Sequence, residues 1–231
     1  MASIYLIRHG QASFGHDNYD CLSSLGEQQS SLLGQHFAQR HIQFDYVVQG
    51  GMLRHQQTAQ HCLAHLPHTE REVQFDARWN EYDFQDILAQ LDTQFATAGS
   101  TKRYLMAQTD PEKALEQILN QAMDRWVAGQ HDHDYAESWT SYHTRINAAL
   151  AATLALADTA KHIAVFTSGG PISLVSQQLL GVPASQLMNL NWTLVNAGVT
   201  KLITSRKGLL LSSLNEHAVF DNQYKHLITY K

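Results

Sequence analysis

The sequence predicts an α/β fold, a three-layer sandwich with a mainly parallel sheet flanked by helices and a helical cap insertion. Two observations carry this. Short apolar runs and longer helical stretches alternate at both ends of the chain. Between them, about 84–158 reads as helix after helix. A third observation bears on domains: no internal repeat or low-complexity linker divides the 231 residues. A single domain over 1–231 is therefore expected, with the insertion as its cap.

Each element has its own signal. Residues 3–7 (SIYLI) form a short unbroken apolar run, the mark of a buried strand. Ser23 or Ser24 then caps a helix whose apolar face carries Leu25, Leu32, Leu33 and Phe37. A second strand is read at 45–49 and a second helix at 53–66. Residues 73–79 alternate weakly, as a third strand would. In the middle, helices are read at 84–98, at 111–128 after Asp110-Pro111, and at 138–157. Strand character resumes at 162–167 (HIAVFT), followed by Gly169-Gly170-Pro171 and an apolar helix to Leu180. Two closing strands are expected at 193–204 and 208–214.

Composition narrows the function. Lys plus Arg is 16 against 21 Asp plus Glu, a net charge of −5 without a basic run, so nucleic acid is not an expected partner. The most apolar stretch, 148–157, is about half the length a membrane span needs. The N-terminus reaches Arg8 too soon for a signal peptide. Cys21 and Cys62 match neither a CxxC pattern nor a disulfide framework, which points to a reducing compartment. A cytoplasmic protein without a membrane partner is expected.

The sharpest chemical signal is Leu6-Ile7-Arg8-His9-Gly10 at the end of the first strand. Ligand sites in open α/β sheets collect at carboxyl strand ends. Arg8 offers a planar, permanent cation to a phosphate. His9 suits a nucleophile or general base, and Gly10 lets the backbone approach a ligand closely. His61 and His65 share one helical face, and His131 and His133 alternate with Asp132 and Asp134. Neither set brings an evident third and fourth ligand, so a solvated histidine-rich surface is the better reading and no metal or cofactor is expected.

SIYLIRHGQAS followed by LSSLGEQQSSLLGQHF resembles the opening of the histidine phosphatase superfamily, the phosphoglycerate mutase-like proteins. In that family the motif histidine takes the phosphoryl group. GGMLRHQQTA is similar to the segment supplying a second phosphate-binding arginine, here Arg54. WNEYDF is similar to the segment carrying the acidic proton donor, here Glu81, with Asp83 and Asp86 as rivals. VFTSGGPISLV is similar to the segment carrying a second pocket histidine, but this chain reads Thr167-Ser168-Gly169-Gly170, with Ser168 in the histidine's place. Ser168 can still donate to a phosphate oxygen or cap the following helix. The Gly169 and Gly170 amides fall at a helix N-terminus, a favourable anion site. Gln11 and Ser13 are candidates for contact with the phosphoester, and the 11–17 loop and the cap would set substrate choice.

The resemblance implies a metal-independent phosphatase that forms a phosphohistidine at His9, with Glu81 as proton donor. Its substrate would be a small phosphorylated metabolite or a phosphoprotein; a homodimer is compatible with the reading. The alternatives are a phosphate-binding scaffold with weak or no catalysis, which Ser168 favours, and a mutase, which loss of the second histidine disfavours.

Overall fold

The computed structural model describes residues 1–13, 20–67 and 72–230. Strand β1 (Ser3–Arg8) sends Ile4 and Leu6 to one face of a sheet and Tyr5 and Ile7 to the other. All four are buried, as in a strand covered by helices on both sides. The sheet holds β2 (Tyr46–Gln49), β3 (Glu72–Phe75), β4 (His162–Thr167), β5 (Val199–Ser205) and β6 (Gly208–Glu216), in the order β3-β2-β4-β1-β5-β6. The first four strands are mutually parallel, and β5 and β6 close the edge antiparallel.

The chain leaves β1, lays down β2 and β3, and returns to insert β4 between β2 and β1. This sets the carboxyl ends of β1, β4 and β2 side by side. Those ends lead into Arg8-His9, Thr167-Ser168 and Gln49-Gly50. Sites in such sheets form where neighbouring strands diverge in this way.

One face is covered by α1 (Ser24–Gln39) and α2 (Leu53–Leu63). Ser23 caps α1 by accepting the Gly26 amide at 3.1 Å. Leu33, Phe37, Ala59 and Cys62 pack there with Tyr5 and Ile7. The opposite face carries α6 (Trp139–Leu156) and α7 (Gly169–Leu180), together with the inserted helices. Ile87, Met123 and Trp126 from the insertion share one core with Ile4, Leu6 and Val165 from the sheet.

Three expectations are corrected. The third strand stops at Phe75, because Asp76 accepts the Arg78 amide at 3.0 Å and starts a 3-10 turn over Ala77–Trp79. The helix expected over 84–98 ends at Leu91 as α3 (Phe84–Leu91); a 3-10 turn over Thr93–Phe95 follows, and a further helix the reading lacked, α4 (Ala98–Met106), begins where the expected one was to stop. Asp92 caps that turn, and Thr97 forms a capping box with Ser100, so two N-terminal signals interrupt the apolar pattern. The helix α5 (Pro111–Val127) follows its Asp110 cap as expected. Lastly, the strand expected from 193 begins at Val199, after α8 (Leu187–Thr193). Residues 194–198 spend their backbone elsewhere: the Leu194 carbonyl on Arg8, the Val195 amide on Asn215, and the Asn196 amide on the Thr229 carbonyl.

Candidate active site

His9 is held from several sides. Its amide donates to the Thr167 carbonyl at 2.9 Å, and its carbonyl accepts from the Ala197 amide and the Asn196 side chain, both at 3.2 Å. Its Nδ1 lies 2.7 Å from the Gly10 carbonyl. A carbonyl can only accept, so Nδ1 carries the hydrogen and Nε2 is left with its lone pair. Burial, reinforced by the nearby charges of Arg54 and Arg8, pushes the imidazole well below its ordinary pKa. His9 is therefore neutral near pH 7.

The two arginines act on the same place. Arg8 donates through Nη1 to the Leu194 carbonyl and through Nη2 to the Tyr230 carbonyl at 3.0 Å. Arg54, nearly buried on the first turn of α2, donates through Nη1 to Asp20 at 2.7 Å. Asp20 also accepts the Leu53 amide at 2.8 Å, which ties it to the start of that helix. Both guanidinium charges act on His9 and on Glu81, so these four groups share one electrostatic environment.

Glu81 follows the 3-10 turn, whose Trp79 carbonyl accepts the Thr167 hydroxyl at 2.6 Å. Arg145 fixes the same segment by donating to the Arg78 and Asn80 carbonyls at 2.7 and 2.9 Å. The carboxylate accepts the Gly170 amide on Oε2 at 3.1 Å and the Tyr82 amide on Oε1 at 3.2 Å. A Cβ at Gly170 would lie 2.1 Å from Glu81 Oε1, so glycine there makes this approach possible. Burial raises the Glu81 pKa, against the opposing pull of the Gly170 amide and the arginines. The rival carboxylates have structural partners: Asp83 caps α3, and Asp86 accepts from Gln90 and the Ala136 amide.

The remaining candidates differ from one another. Ser168 occupies the N-cap position of α7 but makes no side-chain cap hydrogen bond. Its hydroxyl lies instead 2.7 Å from His55 Nε2. Gly169 opens the buried first turn of α7. The expectation that the Gly170 amide serves an anion needs correction, because Glu81 occupies it. Ser13 donates its hydroxyl to the Leu22 carbonyl, and the Gln11 side chain accepts from Ser23, so both side chains are tied into the loop leading to α1. Residues 14–17 of the expected substrate loop lie outside the described residues.

His55 was not among the candidates. It is fully buried, with its ring centroid 5.9 Å from that of His9. The available signal was an imidazole directly after Arg54 in a chain that lacks one at 168. The other histidine sets lie against single carboxylates. His61 meets Glu27 at 3.9 Å, while His131 and His133 meet Asp134. Among the described residues no group of three or more His, Cys, Asp or Glu could hold a metal ion, and no helix is long and apolar enough to cross a membrane.

Comparison with known proteins bears on the fold and the family. Over 65 residues the chain is 40% identical to the mitochondrial serine/threonine-protein phosphatase Pgam5 of Caenorhabditis elegans, a match spanning 28% of this chain and 22% of that protein. A phosphoserine phosphatase from Entamoeba histolytica, solved with phosphoserine, superposes with TM-score 0.63 at 19% identity, covering 94% of this chain and 98% of the other. The α-ribazole phosphatase of Shigella flexneri gives 0.62 at 20%, covering 93% and 96%. A mycobacterial glucosyl-3-phosphoglycerate phosphatase gives 0.65 at 20%, covering 94% and 100%. At these identities the structural likeness concerns the fold. The model of the histidine phosphatase superfamily (branch 1) matches residues 4–114 and 104–217, and the chain belongs to that superfamily.

Proposed function

We propose that the protein is a phosphatase that hydrolyses a phosphomonoester through a phosphohistidine at His9. The observation that carries this reading is the state of His9: neutral, with Nδ1 tied to a carbonyl and Nε2 unprotonated, beside two guanidinium groups. Such a ring is a nitrogen nucleophile ready without prior deprotonation.

The Nε2 lone pair attacks phosphorus as the ester P–O bond breaks. Arg8 and Arg54 stabilise the charge on the equatorial oxygens, with Arg54 exchanging its Asp20 contact for the phosphate. Protonated Glu81 gives its proton to the leaving oxygen. As a carboxylate it then accepts a proton from water while the water oxygen attacks phosphorus. The P–N bond breaks, and its electron pair returns to Nε2. No step calls on a metal. Burial supports the acid role of Glu81 by favouring its protonated form. Ser168 stands where the family resemblance implies a second histidine, and it contributes a neutral donor in place of a cation.

The substrate class is a phosphorylated small metabolite or phosphoprotein. The test is phosphate release from a panel of phosphomonoesters with chelator present, for the parent and for His9→Ala. Turnover by the parent and none by a folded variant is expected. A variant that keeps most of the activity overturns the covalent route. A parent that binds phosphate yet turns over nothing supports the scaffold reading instead.

A further inference from the structure

The buried contact between α2 and the start of α7 has no part in the steps above. His55 Nε2 and Ser168 Oγ are 2.7 Å apart, and neither residue is exposed. Either atom could donate, and the surroundings decide which one does. Among the described residues, Nδ1 of His55 has no hydrogen-bond partner. It packs against Gly50, where a Cβ would come within 2.2 Å of it. An N–H on Nδ1 would be a buried donor without an acceptor, which folded proteins rarely contain. The hydrogen therefore sits on Nε2 and points to Ser168. Burial and the Arg54 charge also hold this imidazole neutral, with a pKa of about 3, so only one ring nitrogen carries a hydrogen.

This has a consequence for the hydroxyl. Ser168 Oγ accepts from His55 and makes no bond to the α7 amides. Its own hydrogen is therefore available in another direction. Ser168 directly follows Thr167, whose carbonyl holds the His9 amide, and the His55 ring lies beside that of His9. We propose that His55 is a positioning residue of the phosphate site: its Nε2–H locks the Ser168 hydroxyl so that the hydroxyl hydrogen is delivered to an oxygen of the phosphoryl group at His9. A ring supplied from α2 thus does through a serine what Ser168 cannot do by itself. The inference rests on the phosphatase reading, and it concerns how the site holds the group transferred.

The experiment compares the parent with Ser168→Ala, His55→Leu, His55→Gln and the double variant Ser168→Ala/His55→Leu. Turnover of p-nitrophenyl phosphate gives kcat and KM, and calorimetry gives the affinity for orthovanadate. Loss of one directed donor to a charged group lowers kcat/KM by about tenfold to a hundredfold. Ser168→Ala and His55→Leu should each show this loss, and the double variant should be no worse than either, because the two residues act as one unit. His55→Gln, which can place an amide N–H near the Nε2 position, should lie within about threefold of the parent. Multiplicative losses, full activity in His55→Leu, or a His55→Gln variant as poor as His55→Leu would overturn the proposal. The last result, with activity retained in His9→Ala, would make Ser168 the nucleophile and His55 its base. If the parent binds vanadate but turns over nothing, the phosphatase reading fails while the same cycle on vanadate affinity still decides the role of His55. A parent that neither turns over substrate nor binds vanadate overturns both.

Discussion

Replacing Glu81 with Gln separates the chemistry of the site from its architecture. The side chains have nearly the same size, but Gln carries no titrating proton. Two backbone donors converge on the carboxylate, Gly170 at 3.1 Å and Tyr82 at 3.2 Å. An amide can accept from one of them only, and its NH2 must face the other. The loss is about 1 kcal/mol for one hydrogen bond. Against it stands relief from burying an ionised carboxylate, since burial raises the Glu81 pKa. Stability should change little. Loss of a general acid costs about a hundredfold to ten-thousandfold in rate, roughly 3–5 kcal/mol in the barrier. That loss should be seen on alkyl phosphates, whose alkoxide needs the proton, and should be much smaller on p-nitrophenyl phosphate, whose phenolate leaves without it. The pH profile supplies a sign. Glu81 acts as acid while protonated, so kcat/KM of the parent on an alkyl phosphate should fall as pH rises through its elevated pKa. The variant should lack that limb. Equal losses on both substrates, or the same limb in the variant, would refute the assignment.

Three further outcomes follow from the same packing. Ser168→His should lose activity at least tenfold, because a second imidazole must enter the 2.7 Å contact with His55; adding His55→Ala should recover much of it, and kinetics of the single and double variants check this. Gly50→Ala should displace the His55 ring, whose Nδ1 the new methyl would meet at 2.2 Å, lowering kcat/KM like His55→Leu and costing about 1–3 kcal/mol in urea unfolding. Stability should fall with acid: the folded pKa values of His9 and His55 lie below the ordinary 6.5, so their contribution is complete above that pH and is lost as pH falls, toward about 3 for His55. Unfolding between pH 7.5 and 5 measures the slope, which should flatten in His55→Leu.

Much of the architecture was legible because it rests on local signals. Apolar runs marked β1 and β4, Asp110 marked its helix at the first residue, and the Ser23-Ser24 pair marked the start of α1 to within one residue. Legibility ended where backbone groups bond to distant partners. Residues 194–198 read as strand, but Arg8, Asn215 and Thr229 take their carbonyls and amides. In the site, the strand-end Arg8-His9-Gly10 run singled out His9, and the family resemblance singled out Arg54 and Glu81. The Gly170 amide, read as free for an anion, is taken by a carboxylate from 89 positions away. His55 looked like any residue of an amphipathic helix. Its role depends on which side chain lies 113 positions further on, information that no periodicity contains.

The most direct test of the central claim is to trap the phosphoenzyme. Parent protein mixed with a phosphomonoester, quenched in alkali during turnover and digested, should yield a peptide containing His9 that is heavier by one HPO3 group. The label should disappear on acid treatment, as a phosphoramidate does, and should be absent from His9→Ala. Turnover without any phosphorylated intermediate, or an acid-stable label on Ser168, would contradict the account.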